Sequence, residues 1–492
     1  MMTQGRTAFL PVGARAPRFA ASAGDQAFDA VVVGAGITGL TTARLLGSAG
    51  MRVAVVEARR VGGGVTAYST GQLTSLVDAG YVGLESDFGA EGARFVAEIT
   101  AGALTTVEEI VRADGIRCDL RRVPILQYAE LAEHVRDLEK EAAAATRAGL
   151  TVRMVDAAEI PFPTLGALRL DNQLDLDASA YVQGLARGLP TNVTVFEDTR
   201  VTSIEDGEPL EVHTEQGILR ARFVVSATHV PGGRNTLHAK TAAYRSYVIS
   251  ARVEGGLPPG IFVDGLDPYH YLRDHGGLVV LGGEDHKAGQ RPDGAAPFDA
   301  LEVYLRERFE VTEIVDRWTS ELYAPVDGLP YIGPMADGSK HLVATGYDGD
   351  GLLFGTIAGK ILSGHILDRP VAHADLFRPS RVNLTAAAPT FLKEQVNVAF
   401  HLVGDRVASA PTSAEGVARG AGAIVDLEGT RCAVFRDESG TVHVRSATCP
   451  HLGCVVQWNP EARTFDCPCH GGCFSPLGEV LGGPPASALK VL

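Results

Sequence analysis

Residues 29–57 read Asp29-Ala-Val-Val-Val-Gly34-Ala-Gly36-Ile37-Thr38-Gly39, a helical run to Gly50, and Arg52-Val-Ala-Val-Val-Glu57. An apolar run, a glycine turn, helical spacing and a second apolar run predict strand, turn, helix and strand. Gly34 permits the tight turn, Gly36 lets the backbone approach a pyrophosphate, and Gly39 lets helix and strand pack closely. The helix N-terminus favours phosphate charge, and Glu57 can accept from a ribose hydroxyl. A bare Gly-x-Gly-x-x-Gly also marks a tight turn in any α/β protein, so it is the whole unit, closed by its acid, that points to a dinucleotide.

Further segments favour flavin over nicotinamide. Arg59-Arg60-Val61-Gly62-Gly63-Gly64-Val65-Thr66-Ala67-Tyr68-Ser69-Thr70 follows the acid, Phe223–Thr228 reads as another strand and turn, and Val343–Gly351 opens a helix with small residues at Gly355, Ala358 and Gly359. Amides at that helix start could face the pyrimidine end of an isoalloxazine. In this order the segments resemble the FAD-dependent family of glycine oxidase, sarcosine oxidase and D-amino-acid oxidase, over residues 28–380. The resemblance implies an α/β, Rossmann-like FAD-binding domain (28–80, 175–240 and 340–380) with an antiparallel-sheet substrate domain (81–174 and 241–339), the oxidoreductase filling 1–385. It implies FAD contacts from Gly34, Gly36, Ile37, Thr38, Gly39, Glu57, Ala58, Arg59, Thr66, Thr70, Gln72, Val201, Ala227, Thr228, Gly346, Gly349, Asp350, Gly351 and Leu352. Ala67-Tyr68-Ser69-Thr70-Gly71-Gln72 departs from the Ser-Gly-Arg-Asn type common in the family's amine oxidases, so substrate does not carry over. No Cys in 346–355 and no His in the Gly34 loop suggest a covalent linkage, so FAD is expected to be non-covalent. Val279–Glu284 lacks a following glycine-rich helix, which disfavours a separate NAD(P)H domain.

A second constellation lies near the other end. Cys449-Pro450-His451-Leu452-Gly453-Cys454 and Cys467-Pro468-Cys469-His470-Gly471-Gly472 each offer a thiolate and an imidazole, with fifteen residues between His451 and Cys467. Zinc also accepts such ligands. The paired loops, Cys-x-His in the first and Cys-x-x-His in the second, with a second matched cysteine pair resemble a Rieske domain of the disulfide-bearing type over 419–492, a small all-β unit. That implies a [2Fe-2S] cluster with Cys449 and Cys467 on one iron and His451 and His470 on the other, and a disulfide Cys454–Cys469 tying the loops. Respiratory Rieske proteins commonly carry Ser two residues and Tyr four residues after the second ligand His. Gly472 and Phe474 stand there, so a reduction potential below the respiratory type is expected. Cys473 is a weak candidate donor and more simply a packing residue.

The chain has 492 residues, 45 % hydrophobic content and net charge −15. These values imply several domains, no nucleic-acid footprint and a soluble protein. The most apolar helical segment, Leu352–Leu367, is interrupted by glycine and Lys360 and is no membrane anchor. The first 27 residues carry Arg6, Arg15 and Arg18 among Pro11 and Pro17 without an apolar core, so no secretory signal is expected and the location is taken as cytoplasmic. Cys118 and Cys432 lie apart from the other five cysteines and are expected to be buried thiols. Helical stripes are expected at Phe95, Val96, Ile99, Val107, Ile110 and Val111 and around Leu131, Val135 and Leu138, both as core. Residues 386–418, with a short helix near 391–403, are expected to connect the modules.

Candidate catalytic residues are His286, as base or flavin partner, Arg245, as carboxylate clamp, and Tyr347. Tyr244, Tyr269, His270, Tyr271, Lys287 and Tyr331 join them as substrate-side candidates, each equally readable as a structural residue. A flavin drained stepwise through a one-electron cluster implies a dehydrogenase acting on a small amine, amino acid or related polar metabolite, with a one-electron protein partner. Two alternatives stay open: a reductase or monooxygenase-like flavoenzyme fed by the cluster, and an electron-transfer protein without small substrate. An oligomer is compatible with all three. With 22 residues after His470, a Rieske non-haem oxygenase is disfavoured.

Overall fold

The computed structural model describes residues 18–290, 296–383, 392–398, 400–402 and 410–492. Arg6, Pro11, Arg15 and Pro17, and much of the expected 386–418 connection, lie outside the described residues; 392–398 is helical.

The first sheet runs Tyr331–Pro334, His341–Thr345, Gly217–Ser226, Gln26–Val33, Val53–Val56, Val193–Phe196. All neighbours pair in parallel except the Tyr331–Pro334 edge. An antiparallel hairpin, Val201–Glu205 with Leu210–Thr214, extends from Gly217–Ser226. Ala30-Val31-Val32-Val33 and Val53–Val56 are buried throughout because a parallel sheet is covered on both faces. Val33 pairs with both Val56 and Ser226, so three strands end together where the glycine turn leaves the sheet. The helix Ile37–Ser48 starts there and packs against the buried helix Gly351–Ile366. A Cβ at Gly39 would lie 1.9 Å from the Gly34 carbonyl oxygen, so only glycine lets the helix begin this close to the strand.

The second sheet runs Val311–Pro325, Thr241–Val253, Leu278–Lys287, His270–His275, Ile261–Val263, Arg121–Ala129, Gly166–Asp175, Gln72–Leu73, with Val152–Val155 beside Gly166–Asp175. It is antiparallel apart from Ile261–Val263 on Arg121–Ala129, where two distant chain segments meet. The helix Tyr81–Asp114 buries Phe95, Val96, Ile99, Val107 and Ile110 as the spacing predicts. The expected core stripe on Ala132–Arg147 is shallow, because Leu131 is exposed and Val135 and Leu138 only half-buried on a surface helix. Cys118 and Cys432 are buried. No described helix is long and apolar enough to cross a membrane.

The C-terminal unit pairs a three-stranded sheet (Gly422–Leu427, Thr430–Arg436, Val442–Ser446) with a four-stranded one (Gln457–Asn459, Thr464–Asp466, Cys473–Phe474, Val480–Gly482). It docks on the second sheet through a buried charge. Arg245 Nη2 lies 2.9 Å from Asp466 Oδ2, both side chains 1 % exposed. Thr464 Oγ1 donates to the other Asp466 oxygen at 2.8 Å, and Asn459 Nδ2 donates to Tyr247 Oη at 3.2 Å. Tyr323 Oη donates to the carbonyls of His470 and Gly471, both at 3.3 Å. A Cβ on Gly471 would come within 2.5 Å of Ala243 Cβ, so the ligand loop meets the sheet through a residue without a side chain.

Removing one partner of such a pair strands the other charge in the interior. Arg245→Met is expected to cost about 3–5 kcal/mol in denaturant unfolding, and Arg245→Met/Asp466→Leu much less. Equal losses in the single and double variants would contradict the pairing.

Candidate functional site

The aligned strand ends open onto a cavity of about 720 Å³. Its lining includes Gly34, Gly36, Ile37, Thr38, Glu57, Ala58, Arg59, Thr66, Thr70, Gln72, Val201, Ala227, Thr228, Gly349, Asp350, Gly351 and Leu352. Gly39 and Gly346 stand behind the wall, Gly39 against Gly34 and Gly346 against Thr241, Pro325 and Tyr331. Gly36 precedes the helix without a side-chain cap, and Thr66 Oγ1 accepts from the Ile37 amide at 3.2 Å. Glu57 accepts from the Ala35 and Arg59 amides at 3.0 and 2.9 Å, which fixes its carboxylate at the end of its strand. This is a phosphate-ready turn followed by a ribose-ready acid, so the residues fit a dinucleotide such as FAD.

The substrate-side candidates divide. Tyr347, Tyr269 and Tyr271 line the cavity, with Tyr347 Oη 2.9 Å from Thr38 Oγ1 and Tyr269 Oη donating to Asp285 Oδ2 at 3.3 Å. Arg245 also borders the cavity, but its guanidinium is engaged by Asp466, so the expected carboxylate clamp becomes a contact between domains. His286 does not line the cavity: its ring stacks on Tyr247 at 5.3 Å, with Nε2 3.5 Å from Tyr247 Oη. His270 is held away between Asp264 and Glu284, Lys287 pairs with Glu394, and neither Tyr244 nor Tyr331 reaches the lining.

Around Asp350, an expected FAD contact, the structure gathers acids that sequence reasoning missed. Asp78, Asp348 and Asp350 line the cavity, where Asp78 Oδ2 accepts from the Gly349 amide and Asp350 Oδ2 from the Asp78 amide, each at 3.0 Å. Burial pushes all three carboxyls up, and neighbouring carboxylates push Asp348 and Asp350 further. Asp285 is pushed up to about 6, first by burial, against hydrogen bonds from Ser246 and Tyr269. Glu321, 5 % exposed, rises to about 7 through burial, with Arg245 opposing. Residues 78, 285 and 348 come together only when distant segments pack, and Glu321 stands apart from them beside Arg245.

Cys449, His451, Cys467 and His470 converge beside this cavity. The His451 and His470 rings lie 5.1 Å apart at 86°, and the Cys454–Cys469 disulfide joins the two loops. Cys449 and Cys467 share a hydrogen bond that pushes the first thiol up and pulls the second down. Burial lowers His451 to about 4 and His470 to about 3, leaving both imidazoles neutral at pH 7. His451 Nε2 faces the Gly233 carbonyl oxygen at 3.1 Å, and that oxygen only accepts; Nε2 therefore carries the proton and Nδ1 is left with its lone pair. His470 Nδ1 is buried with no hydrogen-bond partner among the described residues. Two neutral imidazoles with available Nδ1 atoms and two facing cysteine sulfurs fit a two-thiolate, two-imidazole cluster. Cys454 and Cys469 also lie near Cys467, but their sulfurs are bonded to each other and do not compete as thiolates. Gly472 leaves no room for a side chain, since a Cβ would sit 2.9 Å from Pro485 Cγ and 3.3 Å from Cys449 Sγ. Phe474 is fully buried in the domain core, and Cys473 Sγ meets Arg245 Nη2 at 3.5 Å.

The Asp285 carboxyl gives a pH signature. Its folded pKa lies above the unfolded value, so between about pH 4 and pH 6 the unfolded chain binds fewer protons and stability falls as pH rises. Asp285→Asn carries no such penalty. It is expected to match the unaltered protein near pH 4 and to be more stable by at most about 3 kcal/mol above pH 6, in thermal unfolding across that range. A difference independent of pH would contradict the assignment.

Comparison with known proteins agrees with this geometry. The family described as FAD dependent oxidoreductase, DAO, matches residues 29–364, and the Rieske [2Fe-2S] domain matches residues 411–492. YhfW of Bacillus subtilis (strain 168), described as a Rieske 2Fe-2S iron-sulfur protein, is 30% identical over 483 residues, 96% of this chain and 95% of its own. Glycine oxidase from Geobacillus kaustophilus shares the fold with TM-score 0.61 and 18% identity, over 72% of this chain and 99% of its own. L-proline dehydrogenase from P. horikoshii does so with TM-score 0.60 and 16% identity, over 73% and 98%. FAD and a [2Fe-2S] cluster are the groups these domains take. The chain thus belongs to the DAO family of FAD-dependent oxidoreductases and carries, in addition, a Rieske [2Fe-2S] domain.

Proposed function

We propose that the chain is a dehydrogenase that oxidises a small amine, amino acid or related polar metabolite and releases the electrons singly through its own Rieske domain to a one-electron acceptor protein. The observation that carries this reading is a shared wall. Cys473 and Val480, Leu481, Gly482, Gly483, Pro484, Pro485 and Ala486 of the Rieske domain line the same cavity as the glycine turn, and Arg59 Nη1 donates to the Leu481 carbonyl at 2.9 Å. Such a wall supports an electron outlet beside the flavin of the same chain, an arrangement that an oxidase using oxygen alone has no use for.

FAD accepts a hydride equivalent and the cluster carries one electron at a time. On this reading Gly34, Gly36 and Ile37 receive the pyrophosphate, Glu57 the ribose, and the amides from Gly349 to Leu352 the pyrimidine end. Cys449, Cys467, His451 and His470 hold the irons. Tyr269 and Tyr271 form the substrate-side wall, and Asp285, behind Tyr269, is a candidate to take a proton near pH 6. With Arg245 engaged by Asp466, a substrate carboxylate finds no free guanidinium there, which places amines ahead of amino acids. Fed in the opposite direction, the same wall would serve a reductase, and titration separates the two.

Anaerobic addition of small amines and amino acids to the holoenzyme is expected to bleach the flavin first and the cluster after it. Bleaching only by an external reductant would favour the reductase, and no response to any substrate would favour a pure electron carrier. Cys467→Ser is expected to lose nearly all the iron while keeping flavin, read by iron analysis and visible spectra; full iron retention would reject Cys467 as a ligand. With Gly472 and Phe474 at the positions of two hydroxyl donors, redox titration is expected to place the cluster below respiratory Rieske proteins, and a respiratory-like value would contradict this.

A further inference from the structure

The flavin cavity and the cluster ligands meet at one short segment of the FAD domain. Pro231, Gly232, Gly233, Arg234 and Asn235 line the cavity, and the following turn, Thr236–Ala239, carries His238. The Gly233 carbonyl faces His451 Nε2 at 3.1 Å and His238 Nε2 at 2.8 Å. The Gly233 amide donates to the Pro484 carbonyl at 3.4 Å, and Pro484 lines the cavity from the Rieske side. His238, 6 % exposed, sets its ring 4.7 Å from that of His451 and 5.9 Å from that of His470, edge to face in both cases. Asn235 caps this turn, its Oδ1 accepting from the Leu237 amide at 3.0 Å, and its Nδ2 packs 2.9 Å from His238 Nε2. A buried third imidazole wedged against two candidate iron ligands is more than the docking of two domains requires.

We propose that the segment from Pro231 to His238 is the electronic contact between flavin and cluster, with the Gly233 carbonyl fixing the His451 tautomer and His238 acting as a positioning residue for both cluster imidazoles. This rests on the proposed function and deepens it. Each turnover sends two electrons across the contact one at a time; the cluster passes the first to the external acceptor protein before receiving the second, and the flavin's proton leaves to water. A hydrogen bond to the outer nitrogen of an iron-bound imidazole sets ligand orientation and basicity, so the contact acts on the cluster as well as on the path to it.

His238→Phe keeps a ring of similar size and removes both nitrogens. In holoenzyme flash-reduced with 5-deazariboflavin, flavin-to-cluster transfer is expected to slow at least tenfold, the EPR g-values of the reduced cluster to shift, and the flavin spectrum to stay unchanged. Unaltered rate and g-values in a variant holding both cofactors would overturn the proposal. Should His238→Phe fail to assemble, the unaltered protein still decides: pulsed EPR in D2O is expected to show one histidine Nε2 proton of the cluster resisting exchange, and rapid exchange of both would overturn the tautomer assignment. Absence of any flavin-to-cluster transfer in the unaltered holoenzyme would remove the outlet reading itself and this contact with it. That result is distinct from a defect confined to His238→Phe.

Discussion

One buried ion pair, Arg245 with Asp466, decides how the two redox modules sit together. Each side chain is 1 % exposed, so neither charge finds water if the other is removed. The pair is reinforced by neutral hydrogen bonds that only a correct approach satisfies, from Tyr323 to the His470 and Gly471 carbonyls and from Asn459 to Tyr247. A buried pair of this kind adds little net stability compared with apolar packing; its value is in penalising every other orientation. The consequence is geometric: the ligand loops are pressed against the substrate sheet, and the turn at Gly482–Pro485 closes the flavin cavity.

That closure links the chemistry of the two modules. The cavity wall is made by the strand ends on one side and by the Rieske domain on the other, so occupancy of the flavin site and docking of the cluster share residues. Arg59 illustrates this: its amide is tied to Glu57 and its guanidinium to the Leu481 carbonyl across the domain boundary. The polar lining of the cavity is shaped by the same constraint. The one arginine of the substrate sheet that borders the cavity is spent on docking, and the remaining polar lining near Tyr269 is acidic.

The modules themselves were legible in the sequence because each rests on a local pattern. The run from Asp29 to Glu57 carries strand period, glycine spacing and terminal acid within one supersecondary unit, and the two Cys/His loops carry four ligands within 22 residues, from 449 to 470. Arg245 and His286 stand elsewhere than their sequence positions suggest, for a physical reason. Both lie in strands of the substrate sheet, and alternation along a strand does not say which layer covers each face. Arg245 faces the Rieske domain, and His286 stacks on Tyr247. Nor could spacing reveal Gly233, His238 or the acids at 78, 285 and 348, which become neighbours only when distant segments pack.

The central claim is that flavin and cluster of one chain form a single electron-transfer unit. EPR of the half-reduced holoenzyme tests it most directly, by comparing the relaxation of the flavin radical with the cluster oxidised and reduced. The account predicts marked relaxation enhancement by the reduced cluster, unchanged when the holoenzyme is diluted with protein lacking both groups. A flavin radical that relaxes identically in both cluster states would contradict it.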